Sequence, residues 1–435
     1  MSGSPPIGPI SARPVDALAP GEADAAGLTE ALDCLLRFGT VGMRTGTPAF
    51  RVRQWMGALA RAMKVEALAV HIALGALTVT GRQGGHPVTI AGEIAPIGIN
   101  AWRMGAIMKL SAEAAPGISP REVNARIDVI EAAPAIHGVP ATALAVGLAS
   151  AAFSYLNGGG PLEAIASLVG GGIGQSLRSL LFRRHLNQYA VTALCAVIAS
   201  SLYVLVTSLL ADAGFPSPRH AAGFISSALF LVPGFPLVAA LLDLLQNQIV
   251  ASMARLAYGM AVLMAAAFGL SLVAAAAGLT AAQPPPLEIG EPLTLLLRAI
   301  ASFVAGCGFA ILYNSSWRTV LTVGCLALIG NELRLGVHDL GLNLAPATVL
   351  GAMTVGLLAS WIRPFMHEPR VALTVPGIIV MIPGTYAFQT IVLFNQGYVL
   401  EALHAAVLGG FVVGAMAVGL VAARFITERH WMVES

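Results

Sequence analysis

Long runs without a single charge recur along this chain, and their lengths limit the folds open to it. From residue 132 onward, stretches free of Asp, Glu, Lys and Arg cover 132–162, 186–211, 220–242, 256–287, 299–317, 340–362, 371–400 and 402–423. A helix needs about 20 apolar residues to cross a bilayer. No water solvates a backbone there, so such runs fold as helices that satisfy their own hydrogen bonds. Two shorter stretches, 164–177 and 319–331, lie between the long ones. Counting them predicts ten transmembrane helices, centred near residues 147, 170, 199, 232, 265, 303, 325, 352, 381 and 413. Composition agrees, with 57% hydrophobic and 11% charged residues, where a soluble domain carries about 25% charge.

The amino-terminal part differs. Residues 1–26 are rich in Pro, Gly and Ala without an apolar core and read as a disordered lead. Residues 27–133 carry ordinary charge density and read as a small soluble α/β domain. Two amphipathic helices are expected around Gly46-Thr47-Pro48, then β segments in ALAVHIALGALTVTG and HPVTIAGE with a turn at Arg82-Gln83-Gly84-Gly85. Two more helices follow, the second opening on Ser119-Pro120-Arg121-Glu122, a capping box with Pro at the first helical position.

The membrane part repeats. Gly174-Gln175-Ser176-Leu177-Arg178 matches Gly330-Asn331-Glu332-Leu333-Arg334, and Asn187 matches Asn343, both 156 residues apart. Asn157 and Asn314 are 157 apart, and Val232-Pro233-Gly234 and Ile382-Pro383-Gly384 are 150 apart. Five helices per half is an odd number, so the second half starts on the opposite side. The expected fold is an all-α polytopic membrane protein of ten helices in two inverted five-helix repeats, behind the α/β domain. The expected division is 134–280 and 293–427 for the repeats, 281–292 for an external linker and 428–435 for a cytoplasmic tail. Inverted repeats with broken helices are an architecture of secondary transporters. With the soluble domain inside, Arg178, Arg183, Arg184, Arg318, Arg363, Arg370, Arg424 and Arg429 fall on the cytoplasmic side, against Arg219, Arg298 and Arg334 outside. The positive-inside rule then places both termini in the cytoplasm.

Three groups of residues are candidates for chemistry. The first is the pair of breaks at Pro233-Gly234 and Pro383-Gly384, with Tyr386 just beyond the second. Unwound backbone at membrane depth is tolerated inside protein or beside water, where it can hold a polar solute. The alternative is an ordinary proline kink. The second is Asp243 and Arg255, brought close by a short connection, as a structural lock or a proton carrier. The third is the matched set Gln175, Arg178, Asn331, Glu332 and Arg334, with Asn157 and Asn314; for its arginines the alternative is interfacial snorkelling.

Other classes are disfavoured. The net charge of +2 without a basic cluster gives no reason to expect nucleic acid. There is no C-x-x-C and no histidine pattern with ligand spacing, so no metal and no cofactor are expected. No nucleophile–base constellation argues for an enzyme. Without a P-loop, an ion gradient is the expected energy source.

Thr45-Gly46-Thr47-Pro48-Ala49-Phe50-Arg51-Val52-Arg53-Gln54-Trp55-Met56, Val232-Pro233-Gly234 with Asp243 and Arg255, and Pro376-Gly377 followed by Ile382-Pro383-Gly384 together resemble the threonine/serine exporter family, both modules fused in one chain. Arg53 stands where that family usually carries Glu, and Ile382 replaces its Val. The resemblance implies export of serine or threonine from a bacterial cytoplasm across the inner membrane, driven by protons. It implies a small-molecule substrate, protons and the lipid bilayer as partners, with a homo-oligomer left open. Related two-chain systems resemble exporters of small dicarboxylates such as succinate. That is the second expectation, beside a passive channel with a regulatory soluble domain.

Overall fold

The computed structural model describes residues 20–73, 75–94, 98–184, 186–215, 220–280 and 290–428. The expected lead up to residue 19, Arg219, linker residues 281–289 and tail residues 429–435 lie outside the described residues.

The first unit holds α1 (Pro20–Arg44), α2 (Ala49–Ala62), β1 (Ala67–Ile72), β2 (Ala76–Gln83), β3 (His86–Glu93), α3 (Ala101–Ala112) and α4 (Pro120–Ala132). Helix α1 starts earlier than expected, at Pro20, because the Ala-rich run after it favours helix. Leu28, Leu32, Leu35 and Phe38 recur at helical spacing along α1 and are buried. They cover the sheet, whose order is β1-β2-β3, antiparallel throughout. The single β segment expected over residues 67–81 is split by a turn at Gly75, which takes a left-handed φ of 75°. Gly84 and Gly85, both with positive φ, close the β2–β3 hairpin. Leu77 and Val79 of β2 point at α1, and a Cβ on Gly81 would meet Leu32 at 2.6 Å. Ser119 caps α4, accepting from the Glu122 N–H at 3.2 Å as expected.

Behind this unit come α5 (Val139–Leu156), α6 (Pro161–Phe182), α7 (Gln188–Asp212), α8 (His220–Ser227), α9 (Gly234–Leu244) and α10 (Ile249–Ala276). A second set follows: α11 (Glu291–Leu312), α12 (Trp317–Asp339), α13 (Leu344–Met366), α14 (Arg370–Ile379), α15 (Gly384–Asn395) and α16 (Val399–Thr427). Among the described residues, seven helices are long and apolar enough to cross a membrane, and eight if the pair α14–α15, bent by 56°, is one span. The sequence predicts ten. Helix α6, which carries Glu163 and Arg178 among small residues, and the broken α8–α9 lie outside that count.

The two sets repeat one pattern of neighbours. Helix α5 packs on α6, α6 on α7 and α7 on α10; likewise α11 packs on α12, α12 on α13 and α13 on α16. Small residues let these backbones approach, the usual basis of helix association in lipid. A Cβ on Gly308 of α11 would sit 2.7 Å from the Ala145 carbonyl of α5. A Cβ on Gly351 would sit 2.6 Å from the Gly330 carbonyl.

Candidate functional site

Each break has the same backbone. The N–H groups of Val232 and Ile382 donate to the carbonyls of Leu229 and Ile379, at 3.1 and 3.0 Å. Those of Gly234 and Gly384 then donate to Val232 and Ile382, at 2.8 and 3.0 Å. This is an inverse γ-turn centred on proline, with φ −79° and ψ 51° at Pro233 and φ −81° and ψ 84° at Pro383. Helix resumes at the glycine, with Leu237 and Ala387 donating to the proline carbonyls. The far ends agree as well. Asn247 and Gly397 are left-handed, and Gln248 and Tyr398 each donate to a carbonyl five residues back, both at 2.9 Å. These are αL helix stops, 150 residues apart like the prolines.

The ends of α5 and α11 also match, in a register that corrects the expected one. Gly158 and Asn314 are both left-handed, and Gly159 and Ser315 donate to Ser154 and Ala310, at 2.9 and 3.0 Å. That register is 156 residues. Asn157 therefore stands opposite Tyr313, and Asn314 fills the place of a helix-ending glycine, a position that suits Gly or Asn. Its side chain accepts from the N–H groups of Ile136 and His137 and donates to Asn100, so it ties the first unit to α11.

Each first helix ends on the other set's break. A Cβ on Gly384 would meet the Phe153 ring at 2.9 Å and Asn157 Oδ1 at 3.1 Å. In the opposite sense Tyr313 packs edge-on against Phe235, next to Gly234, at 5.5 Å. The breaks themselves touch, since Gly234 lies against Ile379 and Ile382. Beside them, between α5 and α11, a cavity of about 10 Å³ is lined by Ser150, Phe230 and Phe309, room for about one water.

The matched polar residues lie on α6 and α12. Arg334 is buried and donates from Nε to Thr348 Oγ1 and from a terminal nitrogen to Asn331 Oδ1, both at 3.1 Å. Asn331 donates in turn to Ser302 at 2.9 Å. Tyr386 lies in the first turn of α15, where its carbonyl accepts from Thr390 Oγ1 at 2.7 Å. Glu332 accepts from Ser302 at 3.3 Å and pairs with Arg298 at 3.8 Å. In the first set Arg178 donates to the Phe230 carbonyl at 3.5 Å, at the opened backbone, and lies over the Phe182 ring. Gln175 donates to Ser179 at 3.1 Å.

Asp243 and Arg255 meet, at 3.2 Å, fully buried. Their other partners belong to the first unit. Asp243 Oδ1 accepts from the N–H of Phe50 at 3.2 Å, in the first turn of α2. A carboxylate there is favoured by the free N–H groups and the dipole of that helix. Arg255 donates to the carbonyls of Gly46 and Thr47. The loop before α2 is thus held by a buried ion pair at the end of the broken α8–α9.

Comparison with known proteins accords with this two-part build. Residues 33–277 match the family described as "Putative threonine/serine exporter", and residues 298–426 match "Threonine/Serine exporter, ThrE". The first match alone spans more than half of the chain. The chain belongs to the threonine/serine exporter family. It is thus a multi-pass membrane protein of a transporter family. One curated relative is the "Probable succinate transporter subunit YjjP" of Escherichia coli (strain K12), 34% identical over 128 residues. That match covers 29% of this chain and 48% of the relative, so the chain spans about half of that protein's length. No solved structure matches the chain.

In this exporter-family chain, two contacts of the first unit escape sequence reasoning. Arg51, Arg370 and Arg424 converge on Glu428, at 3.0, 3.1 and 3.9 Å. Burial alone would raise the Glu428 carboxyl, but the three guanidinium groups hold it down at about 2. Glu368, between α13 and α14, accepts from Thr319 and lies against Gly105 of α3. Burial pushes its carboxyl up to about 7. Arg51 follows the loop that the resemblance marks, a signal for the first contact; nothing in the sequence marks Glu368.

Proposed function

We propose that the chain is a secondary transporter of the bacterial inner membrane that exports serine or threonine from the cytoplasm, driven by the proton gradient. Ten spans form two inverted halves, α5–α10 and α11–α16, with each broken helix counted as one span. The reciprocal contacts carry this reading. Helix α8 packs on α15 and α14 on α9, and α10 packs on α15 and α16 on α9. Exchanging the two halves maps each contact onto its partner, as a two-fold relation requires. An odd number of spans per half puts that axis in the membrane plane, the geometry of alternating access at a midplane site. Both termini and the α/β unit face the cytoplasm. Asp243 and Arg255 act as the lock between that unit and the broken helix, because the pair's partners beyond itself are Met43 near the end of α1, the carbonyls of Gly46 and Thr47 before α2, and the N–H of Phe50 in its first turn. Vesicles preloaded with serine or threonine test the reading. Efflux should be saturable and should fall when the proton gradient is collapsed; gradient-independent efflux sinks the coupling claim.

A second reading, export of small dicarboxylates, is supported by the likeness to the probable succinate transporter subunit. Competition of serine efflux by succinate separates the two.

A further inference from the structure

The same three positions recur in both sets: Gln175, Arg178 and Thr192 in the first, Asn331, Arg334 and Thr348 in the second, all 156 residues apart. Thr192 and Thr348 are also alike locally, each donating to the carbonyl four residues back at 2.8 and 2.7 Å. In the second set the constellation is made, with Arg334 spanning Thr348 and Asn331. In the first it is unmade. Arg178 Nε and Gln175 Oε1 are buried without a hydrogen-bond partner among the described residues, and Gln175 is only 5% exposed. No ion pair joins Arg178 or Arg334 among the described residues. Arg178 as a whole is half-buried, but a guanidinium nitrogen buried without a partner is costly, and so is an unmatched amide oxygen.

We infer that Gln175 and Arg178 form a substrate station, and that Asn331 and Arg334 form its counterpart on the other side of the membrane. The ligand is a small zwitterion. Its carboxylate takes the free edge of Arg178, the planar fork suited to that group. Its ammonium or hydroxyl donates to Gln175 Oε1, one helical turn away. A dicarboxylate supplies the anion but not the donor. In the alternate state Arg178 closes on its own neighbours and Arg334 opens. This inference rests on the exporter reading and adds the atoms that hold the solute.

The test uses the full-length protein in detergent and in vesicles. L-Serine should raise the melting temperature, serine methyl ester should not, and succinate should do so less than serine. Arg178→Lys and Gln175→Leu should each raise the KM for serine efflux about tenfold or more, the weight of a charge-assisted or buried hydrogen bond, with kcat less affected. Equal shifts with serine and its methyl ester on the unaltered protein overturn the station without any variant. So does an unchanged KM in Arg178→Lys. If the unaltered protein moves no serine or threonine yet binds succinate through Arg178, the amino-acid reading and the donor role of Gln175 fall together. If serine moves normally in both variants, the station falls and the exporter reading stands.

Discussion

The N–H of Phe50 donates to the carboxylate of Asp243 at 3.2 Å, so a charge near the end of α9 closes the amino terminus of α2, 193 residues earlier in the chain. Arg255 holds the other side of that carboxylate and the two carbonyls before α2. The first unit and the α9–α10 connection are therefore joined by one buried ion pair.

Removing one partner leaves the other charge buried and alone, which costs about 3–5 kcal/mol. Asp243→Ala should lower the melting temperature sharply and expose the α1–α2 loop to protease. Asp243→Asn keeps an acceptor for Phe50 and should lose less. An Asn variant of full stability that has lost gradient coupling would overturn the lock and make Asp243 a proton carrier.

Glu428 is held at about 2, below its ordinary value of 4.5. A depressed carboxyl contributes stability above about pH 4.5 that is lost as the pH falls toward 2. Thermal melts between pH 3 and pH 7 should show that loss in the native protein. Glu428→Gln should flatten it and lower stability at neutral pH, because Arg51, Arg370 and Arg424 lose their shared anion.

Glu368 runs the other way. Its carboxyl is raised to about 7, so the folded state keeps its proton while the unfolded chain has released it. Its contribution is complete below about pH 4.5 and is lost as the pH rises through 7. Glu368→Gln should raise the melting temperature at pH 8 and leave it nearly unchanged at pH 4.5. An unchanged melting temperature at pH 8 counts against a charged, strained Glu368.

Glycines divide by what a Cβ would meet. Gly308→Ala puts a methyl group 2.6 Å from the Ala149 methyl and 2.7 Å from the Ala145 carbonyl, and overpacking of that kind costs about 1–3 kcal/mol. Gly410→Ala meets nothing within 4 Å and should be neutral. Melting of the two variants side by side checks whether α5 and α11 pack as described.

The breaks are predicted to matter as a pair. Pro233→Ala and Pro383→Ala restore an N–H and allow the helix to run on. Each should cut efflux at least about tenfold with the protein still folded, since the turn, not the burial, is what changes. Full activity in either variant makes that proline an ordinary kink.

Much of this was legible in residue order. The charge-free runs, the two Pro-Gly breaks and the serine cap of α4 fall where the pattern puts them, because each depends on neighbours within a turn or two. The match of Asn157 with Asn314 failed by one residue, since identity of letters stood in for the backbone state that Gly158 and Asn314 share. The end of α12 was missed because Glu332 and Arg334 read as boundary charges; Arg298, Ser302, Asn331 and Thr348 satisfy them inside the helix bundle.

The sequence by itself determined a chain that must be helical and membrane-embedded, because a bilayer offers the backbone no other partner. It also determined where those helices break, because proline and glycine act on their own residues. Only the tertiary structure decided what the charges do. Whether Asp243 caps a distant helix, Arg334 binds Thr348, or Arg178 is left with a free edge depends on segments brought together from far along the chain. In a medium of low dielectric, a few ångströms of packing set the strength of each such interaction.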